Sequence, residues 1–260
     1  MIYYKDINEI EKIRSSSLLV SRTLAEIASL VKPGISSLEL DARAEEFIMD
    51  NKAKPGFKGY QGFPATICAS KNNEVVHGIP TDDPLREGDI ISIDCGVLKD
   101  GFYGDSAYTF AVGNISEEVE ELLNTTKRCL SEGVNKVIDG NTIGDIGSNI
   151  EKIAKDRGYS IVKELVGHGI GKNLHEEPNV PNYGKSGKGI KLSKGLVIAV
   201  EPMLNIGSSA VCTSEDGWTV LTQDGSLSAH FEHTVAVGLD GPDILSDFEI
   251  IENEIKKIYG

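Results

Sequence analysis

Two stretches of this chain return about a hundred residues after they first occur. Ser36-Ser-Leu-Glu39 is echoed by Thr142-Ile-Gly-Asp145, 106 residues on, and Leu85-Arg-Glu-Gly-Asp-Ile-Ile-Ser-Ile-Asp94 by Leu192-Ser-Lys-Gly-Leu-Val-Ile-Ala-Val-Glu201, 107 residues on. Self-similarity at a nearly fixed offset marks a duplicated unit. Gln61-Gly62 meets His168-Gly169 at the same offset, and Thr109-Phe-Ala-Val-Gly113 matches Thr234-Val-Ala-Val-Gly238 at a shifted one. Two repeats are too few for a solenoid, and each half of a 260-residue chain holds only a modest core. The expectation is therefore one α/β domain over residues 1–260, with halves of about 1–113 and 114–260 sharing a core.

Within each half, helices precede strands. Asp6 caps a helix whose apolar residues recur at three- and four-residue spacing until Pro33-Gly34. The capping box at Ser36 and Glu39 opens a second helix to about Lys52. Ser116 opens a third that Asp139-Gly140 ends, and Thr142 and Asp145 cap a fourth. Gly184-Lys-Ser-Gly-Lys-Gly189 reads as a mobile surface loop, since the spacing and following helix of a phosphate loop are absent. With 40 acidic against 26 basic residues, the net charge of −14 repels nucleic acid and anionic lipid, and there is no nucleic-acid motif. No apolar run approaches the ~18 residues of a membrane span. Cys68, Cys95, Cys129 and Cys212 form no C-x-x-C pair, which fits a reducing, cytoplasmic setting.

Carboxylates carry the chemistry. Asp100-Gly101 is a two-residue hairpin signal, and a turn there opposes Asp105 to Gly96, two residues from Asp94 and on the same face. Gly96 and Gly104 are expected to leave open space beside the pair. Asp94 ends the apolar run Ile90-Ile-Ser-Ile93, and Glu201 ends Leu196-Val-Ile-Ala-Val200. Acids emerging from buried strands need a cation or an upward pKa shift. In the segment 228–237, alternation puts His230, Glu232 and Thr234 on one face and Phe231, His233 and Val235 on the other; both histidines there read as structural. His168 lies among glycines, with His175 seven residues later. His168 with four carboxylates is too oxygen-rich for structural zinc and suits a pair of divalent transition ions, so hydrolysis follows. No nucleophile elbow or triad motif competes, and no Arg clamp suits a phosphoryl substrate.

Five ordered motifs resemble the type I methionine aminopeptidases over essentially the whole chain: Asn73-Glu-Val-Val-His-Gly-Ile-Pro80; Ile93-Asp-Cys-Gly-Val97 through Gly101-Phe-Tyr-Gly-Asp105; Gly167-His-Gly-Ile-Gly171 with His175-Glu-Glu-Pro178; Val200-Glu-Pro-Met203; and Phe231-Glu-His-Thr234. The resemblance implies the pita-bread fold, two pseudo-symmetric α/β halves around a dinuclear metal site. It also implies removal of the initiator methionine from nascent polypeptides whose second residue is small. By the same resemblance Asp94, Asp105, His168, Glu201 and Glu232 ligate two divalent ions (Co, Mn, Fe or Zn). Glu201 also handles the proton of the attacking water, His175 stabilises the oxyanion, and His77 positions the substrate near the leaving amide.

The resemblance further places the methionine side chain among Tyr60, Phe63, Cys68, Leu174 and Trp218. Phe57, Gln61 and Leu174 depart from the residues common at those positions, which bears on pocket shape. A short bacterial form is implied, a cytoplasmic monomer with transient ribosome contact through its own surface. An Xaa-Pro peptidase and a non-catalytic binding protein of the same fold are the rival readings.

Overall fold

The computed structural model of the protein describes residues 1–259, with side chains as far as Lys257; the expected domain boundary at Gly260 lies outside the described residues. In chain order the elements are α1 (Ile7–Ala28), α2 (Ser37–Asp50), β1 (Lys54–Pro55), β2 (Ile67–Lys71), β3 (Glu74–Val76), β4 (Ile90–Lys99) and β5 (Phe102–Ala111). There follow α3 (Glu117–Val134), α4 (Ile143–Asp156), β6 (Ser160–Ile161), β7 (Gly167–Gly169), β8 (Glu176–Val180), β9 (Val197–Val200) and β10 (Met203–Asn205). The chain closes with β11 (Val211–Thr213), β12 (Val220–Thr222), β13 (Ser228–His230), β14 (His233–Ala236), β15 (Asp243–Ile244) and α5 (Phe248–Tyr259).

The helix starts are where the caps require them. Asp6, Ser36 and Thr142 each form a capping box, with Glu9, Glu39 and Asp145 answering three residues on, so two orphan amides are satisfied at each end. α3 begins after Ser116 but ends at Val134, short of Asp139-Gly140, because the chain tightens there into successive turns. The exposed 184–189 loop is tied to α4: Ser186 Oγ and the Gly187 amide both donate to Asp145 Oδ1.

Each half builds a three-strand antiparallel unit. In the first, β4 lies between β5 and β2, with β1 alongside its far end. In the second, β9 lies between β14 and β7, extended by β15 and β8. The ladder registers express the duplication directly: Ser92 pairs with Thr109, and their counterparts Ala199 and Thr234 pair with each other. β7 corresponds to β2 at a different spacing, so the echo of Gln61-Gly62 in His168-Gly169 is coincidental; Gln61 sits in a short 3-10 turn.

The two units meet edge to edge through reciprocal threonines. Thr109 Oγ1 donates to the His230 carbonyl at 2.7 Å and accepts from its amide at 3.0 Å. Thr234 Oγ1 does the same to Asp105, at 2.7 and 3.3 Å. Between these clasps the Glu232 amide donates to the Ala107 carbonyl, and Ser106 Oγ donates to the Glu232 carbonyl. α1 and α2 pack on the first unit and α3 and α4 on the second. One continuous buried cluster, from Leu19 and Ile93 to Ile198 and Phe231, spans both halves.

Gly96 and Gly104 do not provide open space. A Cβ on Gly96 would lie 2.5 Å from the Phe57 ring, and one on Gly104 2.3 Å from the Ser17 nitrogen. These glycines let an aromatic ring and helix α1 press against the hairpin.

Candidate metal centre

The Asp100-Gly101 turn gives the register expected of it, with Gly96 opposite Asp105 and Asp94 opposite Ala107. The two carboxyl groups therefore lie on one face as diagonal neighbours across the hairpin. Opposite them, β7 presents His168, Glu201 follows β9 directly, and Glu232 lies in the break between β13 and β14. Gly167 and Gly169 allow this: a Cβ on either would come 2.3 Å from a carbonyl oxygen of Ala199 or Glu177. Ligand atoms of Asp105, His168 and Glu232 all lie within 4.8 Å of one another.

His168 Nδ1 is 2.9 Å from the Gly169 carbonyl, which fixes the ring as an Nδ1–H donor. Its Nε2 then turns a lone pair inward, 3.7 Å from Glu201 Oε1 and 4.0 Å from Asp105 Oδ2. Burial lowers the His168 pKa to about 3, so the imidazole is neutral and able to ligate. Burial raises Asp94 to about 7 and carries Asp105, Glu201 and Glu232 well above the ordinary carboxylate range, neighbouring acids adding to the effect.

Among the described residues no Lys or Arg pairs with these four acids. Asp94 Oδ1, Asp105 Oδ1 and Glu232 Oε1 are buried with no hydrogen-bond partner. Buried acids left in this state require a cation, and a set of one imidazole and four carboxylates fits divalent transition ions. The residues present fit a metal centre.

Above the acids opens a cavity of about 480 Å³ whose lining includes every residue named from the sequence: Tyr60, Phe63, Cys68, His77, Leu174, His175 and Trp218. Phe57 and Gln61 line it too. Phe63 and Trp218 meet edge to face at 5.3 Å, and Cys68, Leu174, Tyr60 and Trp218 pack in the same apolar cluster as Phe63. Cys68 stands beside Asp94 because β2 pairs with β4 there, and Asp41 fixes the start of β2 by accepting from the Thr66 and Ile67 amides.

His175 stacks its ring edgewise on His168 at 4.2 Å, and its Nδ1 lies 2.9 Å from the Tyr60 hydroxyl. His77 is held at φ +60°, a left-handed conformation uncommon outside glycine. Gly78 beside it packs against the Ala69 carbonyl, so β2 dictates where His77 projects. Burial lowers the pKa of both His77 and His175, keeping them neutral near pH 7.

His230, read from the sequence as structural, lies against this centre. It is buried, its Nε2 has no hydrogen-bond partner, and it lies 3.8 Å from Glu201 Oε2. Alternation had placed it on the face of Glu232; that this face meets Glu201 depends on β10 pairing with β13. His233 is on the far side, against Ser246 and Phe248, as alternation requires.

A duplicated α/β shell closing over a neutral imidazole and four cation-demanding acids, roofed by an apolar pocket, defines a metal-dependent hydrolase. The model of metallopeptidase family M24 matches residues 11–238. A methionine aminopeptidase of Clostridium perfringens is 49% identical over 95% of this chain and 99% of its own length, and methionine aminopeptidase 1 of Bacillus subtilis is 46% identical with the same coverage. The crystal structure of methionine aminopeptidase from Rickettsia prowazekii superposes with a TM-score of 0.94 at 40% identity, covering 95% of this chain and all of that one. The chain belongs to metallopeptidase family M24 and has its pita-bread fold.

Proposed function

We infer that the protein is a metal-dependent aminopeptidase that removes the N-terminal methionine of polypeptides whose second residue is small. The observation that carries this reading is that Asp94, Asp105, His168, Glu201 and Glu232 line the same cavity as the apolar side chains Phe63, Leu174 and Trp218, with ligand atoms of Asp105, His168 and Glu232 within 4.8 Å of one another. The full-length relatives named methionine aminopeptidase support it.

Asp94, Asp105, His168, Glu201 and Glu232 would hold two divalent ions, of cobalt, manganese, iron or zinc according to supply. When bound, such ions supply Lewis acidity toward a carbonyl and lower the pKa of water. Glu201 accepts the proton of the attacking water at a carboxylate oxygen, a general-base role for which its place among the ligands suits it. With Nδ1 of His175 taken by the Tyr60 hydroxyl, Nε2–H donates to the oxygen that gains charge during attack. His77, neutral and fixed by its backbone, positions the amide about to leave.

The methionine side chain enters between Tyr60, Phe63, Cys68, Leu174 and Trp218, where sulfur–ring contacts of ~0.3–1.5 kcal/mol favour a thioether and desolvation rejects charge. The substrates are N-termini of nascent chains. The protein acts as a cytoplasmic monomer with transient ribosome contact; no helix among the described residues is long and apolar enough to cross a membrane.

The test is incubation of metal-replete protein with Met-Ala-Ser and with a matched peptide bearing a bulky second residue. Chelator-sensitive release of methionine from the first alone is expected. Release from Gly-Pro peptides instead, or none with any of the four metals, would overturn the reading.

A further inference from the structure

The six residues before α1 form an arm that returns to the catalytic face. The Lys5 amide donates to the Gly195 carbonyl at 2.7 Å, and Ile2 bridges to Glu177. The Lys5 ammonium is driven into the protein, its side chain 4% exposed, and donates to Glu176 Oε2 at 2.8 Å and to the Tyr3 carbonyl at 3.1 Å. Glu176 is buried as deeply, its side chain 3% exposed.

The other oxygen of Glu176 accepts from the Asn173 amide at 3.1 Å, so the carboxylate ties off the turn between β7 and β8 from within. Gly171 lets the pair pack closely there, since a Cβ would come 2.6 Å from Lys5 Cε and 2.9 Å from Glu176 Oε1 and displace the two side-chain ends. Leu174 and His175 occupy this turn. Beyond it, His175 is held by the Tyr60 hydroxyl and the edge of the His168 ring.

A buried ion pair adds little stability relative to an apolar pair of the same shape, because both charges lose their water. What it supplies is a fixed geometry, and here that geometry belongs to the turn bearing the oxyanion donor and one wall of the side-chain pocket. We propose that Lys5 is a positioning residue for the hydrolytic reaction: its buried pair with Glu176 fixes the 171–176 turn that presents Leu174 and His175. Burial lowers the proton affinity of Lys5, yet the bond to Glu176 is what the turn depends on. This inference rests on the role given to His175 above.

Lys5→Met keeps the length of the side chain and leaves Glu176 without its cation. In the metal-replete protein, kcat on Met-Ala-Ser is expected to fall about tenfold or more, since displacements of the order of 1 Å at a catalytic group cost up to ~10²-fold. KM stays within about threefold and metal content is unchanged, as for loss of an interaction realised in the transition state. Amide exchange at Asn173 accelerates about tenfold, with or without metal, while β9 keeps its protection. Lys5→Met/Glu176→Gln, which leaves no unpaired charge, regains part of kcat.

A lower melting temperature with kcat and Asn173 exchange unchanged would make the pair merely structural and overturn the proposal. So would a loss confined to KM. Should Lys5→Met not fold, Lys5→Arg retains the charge with the wrong shape; reduced kcat is expected and unchanged kcat overturns. His175→Ala is assayed in parallel. If it keeps wild-type kcat, the role of His175 fails and this inference with it; if it loses kcat while Lys5→Met does not, only the role of Lys5 fails.

Discussion

Glu201 stands where catalysis and stability pull apart. Burial raises the proton affinity of Glu201 and of Asp94, and the charge of Asp94 adds to the effect on Glu201. Glu201→Gln keeps the volume and removes the charge, so turnover should fall on the order of 10²–10⁴-fold, the usual contribution of a positioned acid or base, or further if a ligand is lost with it. The same change relieves repulsion among unpaired acids. The metal-free variant should therefore melt higher than metal-free wild type at pH 8, by about 2–4 °C per kcal/mol relieved. A lower midpoint would show that the protein itself satisfies this carboxylate. Asp94 and Glu201 were legible in the sequence as candidates because each closes an apolar strand, where the alternative is an acid merely solvated at the strand end. His230 was not, since alternation assigns a residue to a face and says nothing of which other strand that face will meet.

At the scale of elements, the joint between the halves is made by side chains rather than by a linker. Thr109 and Thr234 each bridge both backbone groups of a residue in the opposite half, His230 and Asp105. Valine at either position keeps the shape and orphans a buried amide and carbonyl, which costs about 1–3 kcal/mol for each group left unpaired. Thr109→Val and Thr234→Val are each expected to lower the denaturant midpoint, and Thr234→Val to weaken metal binding as well, because it frees the backbone of Asp105. An unchanged midpoint in both would mean that the clasps are incidental. Helix caps and the Asp100-Gly101 turn were readable because they are local. Gly96 and Gly104 were misread as open space: a missing side chain marks a close approach, and only the fold names Phe57 and α1 as what approaches.

The candidate ligands divide between the halves, Asp94 and Asp105 from the first and His168, Glu201 and Glu232 from the second, so bound metal fastens the whole molecule. Binding to the folded state alone stabilises by RT ln(1 + [L]/Kd), and the size of that gain depends on pH because the ligands must shed protons. In the metal-free protein Asp94 titrates at about 7 instead of 3.8. The folded state thus holds a proton there that the unfolded state has lost, and this group's contribution to metal-free stability falls as pH rises from about 4 to about 7. His168, lowered from 6.5 to about 3, acts in the opposite sense, its contribution being lost as pH falls through that window. Asp105, Glu201 and Glu232, also raised by burial, add to the Asp94 side, and His230 and His233, both lowered to about 3, add to the His168 side, so the two sets partly offset each other in the metal-free protein. Metal removes the offset, since its binding displaces the proton of Asp94 and leaves His168 neutral as it already is. Each proton displaced weakens apparent affinity about tenfold per pH unit below 7, or about 1.4 kcal/mol of linked stability under saturating metal. The difference in melting temperature with and without manganese(II) should therefore widen from pH 5.5 to 7, by about 2–4 °C per kcal/mol. Calorimetry in buffers of different ionisation enthalpy should find at least one proton released on binding at pH 6. A melting difference independent of pH, with no proton released, would mean that the acids are already ionised without metal and that something other than a cation satisfies them.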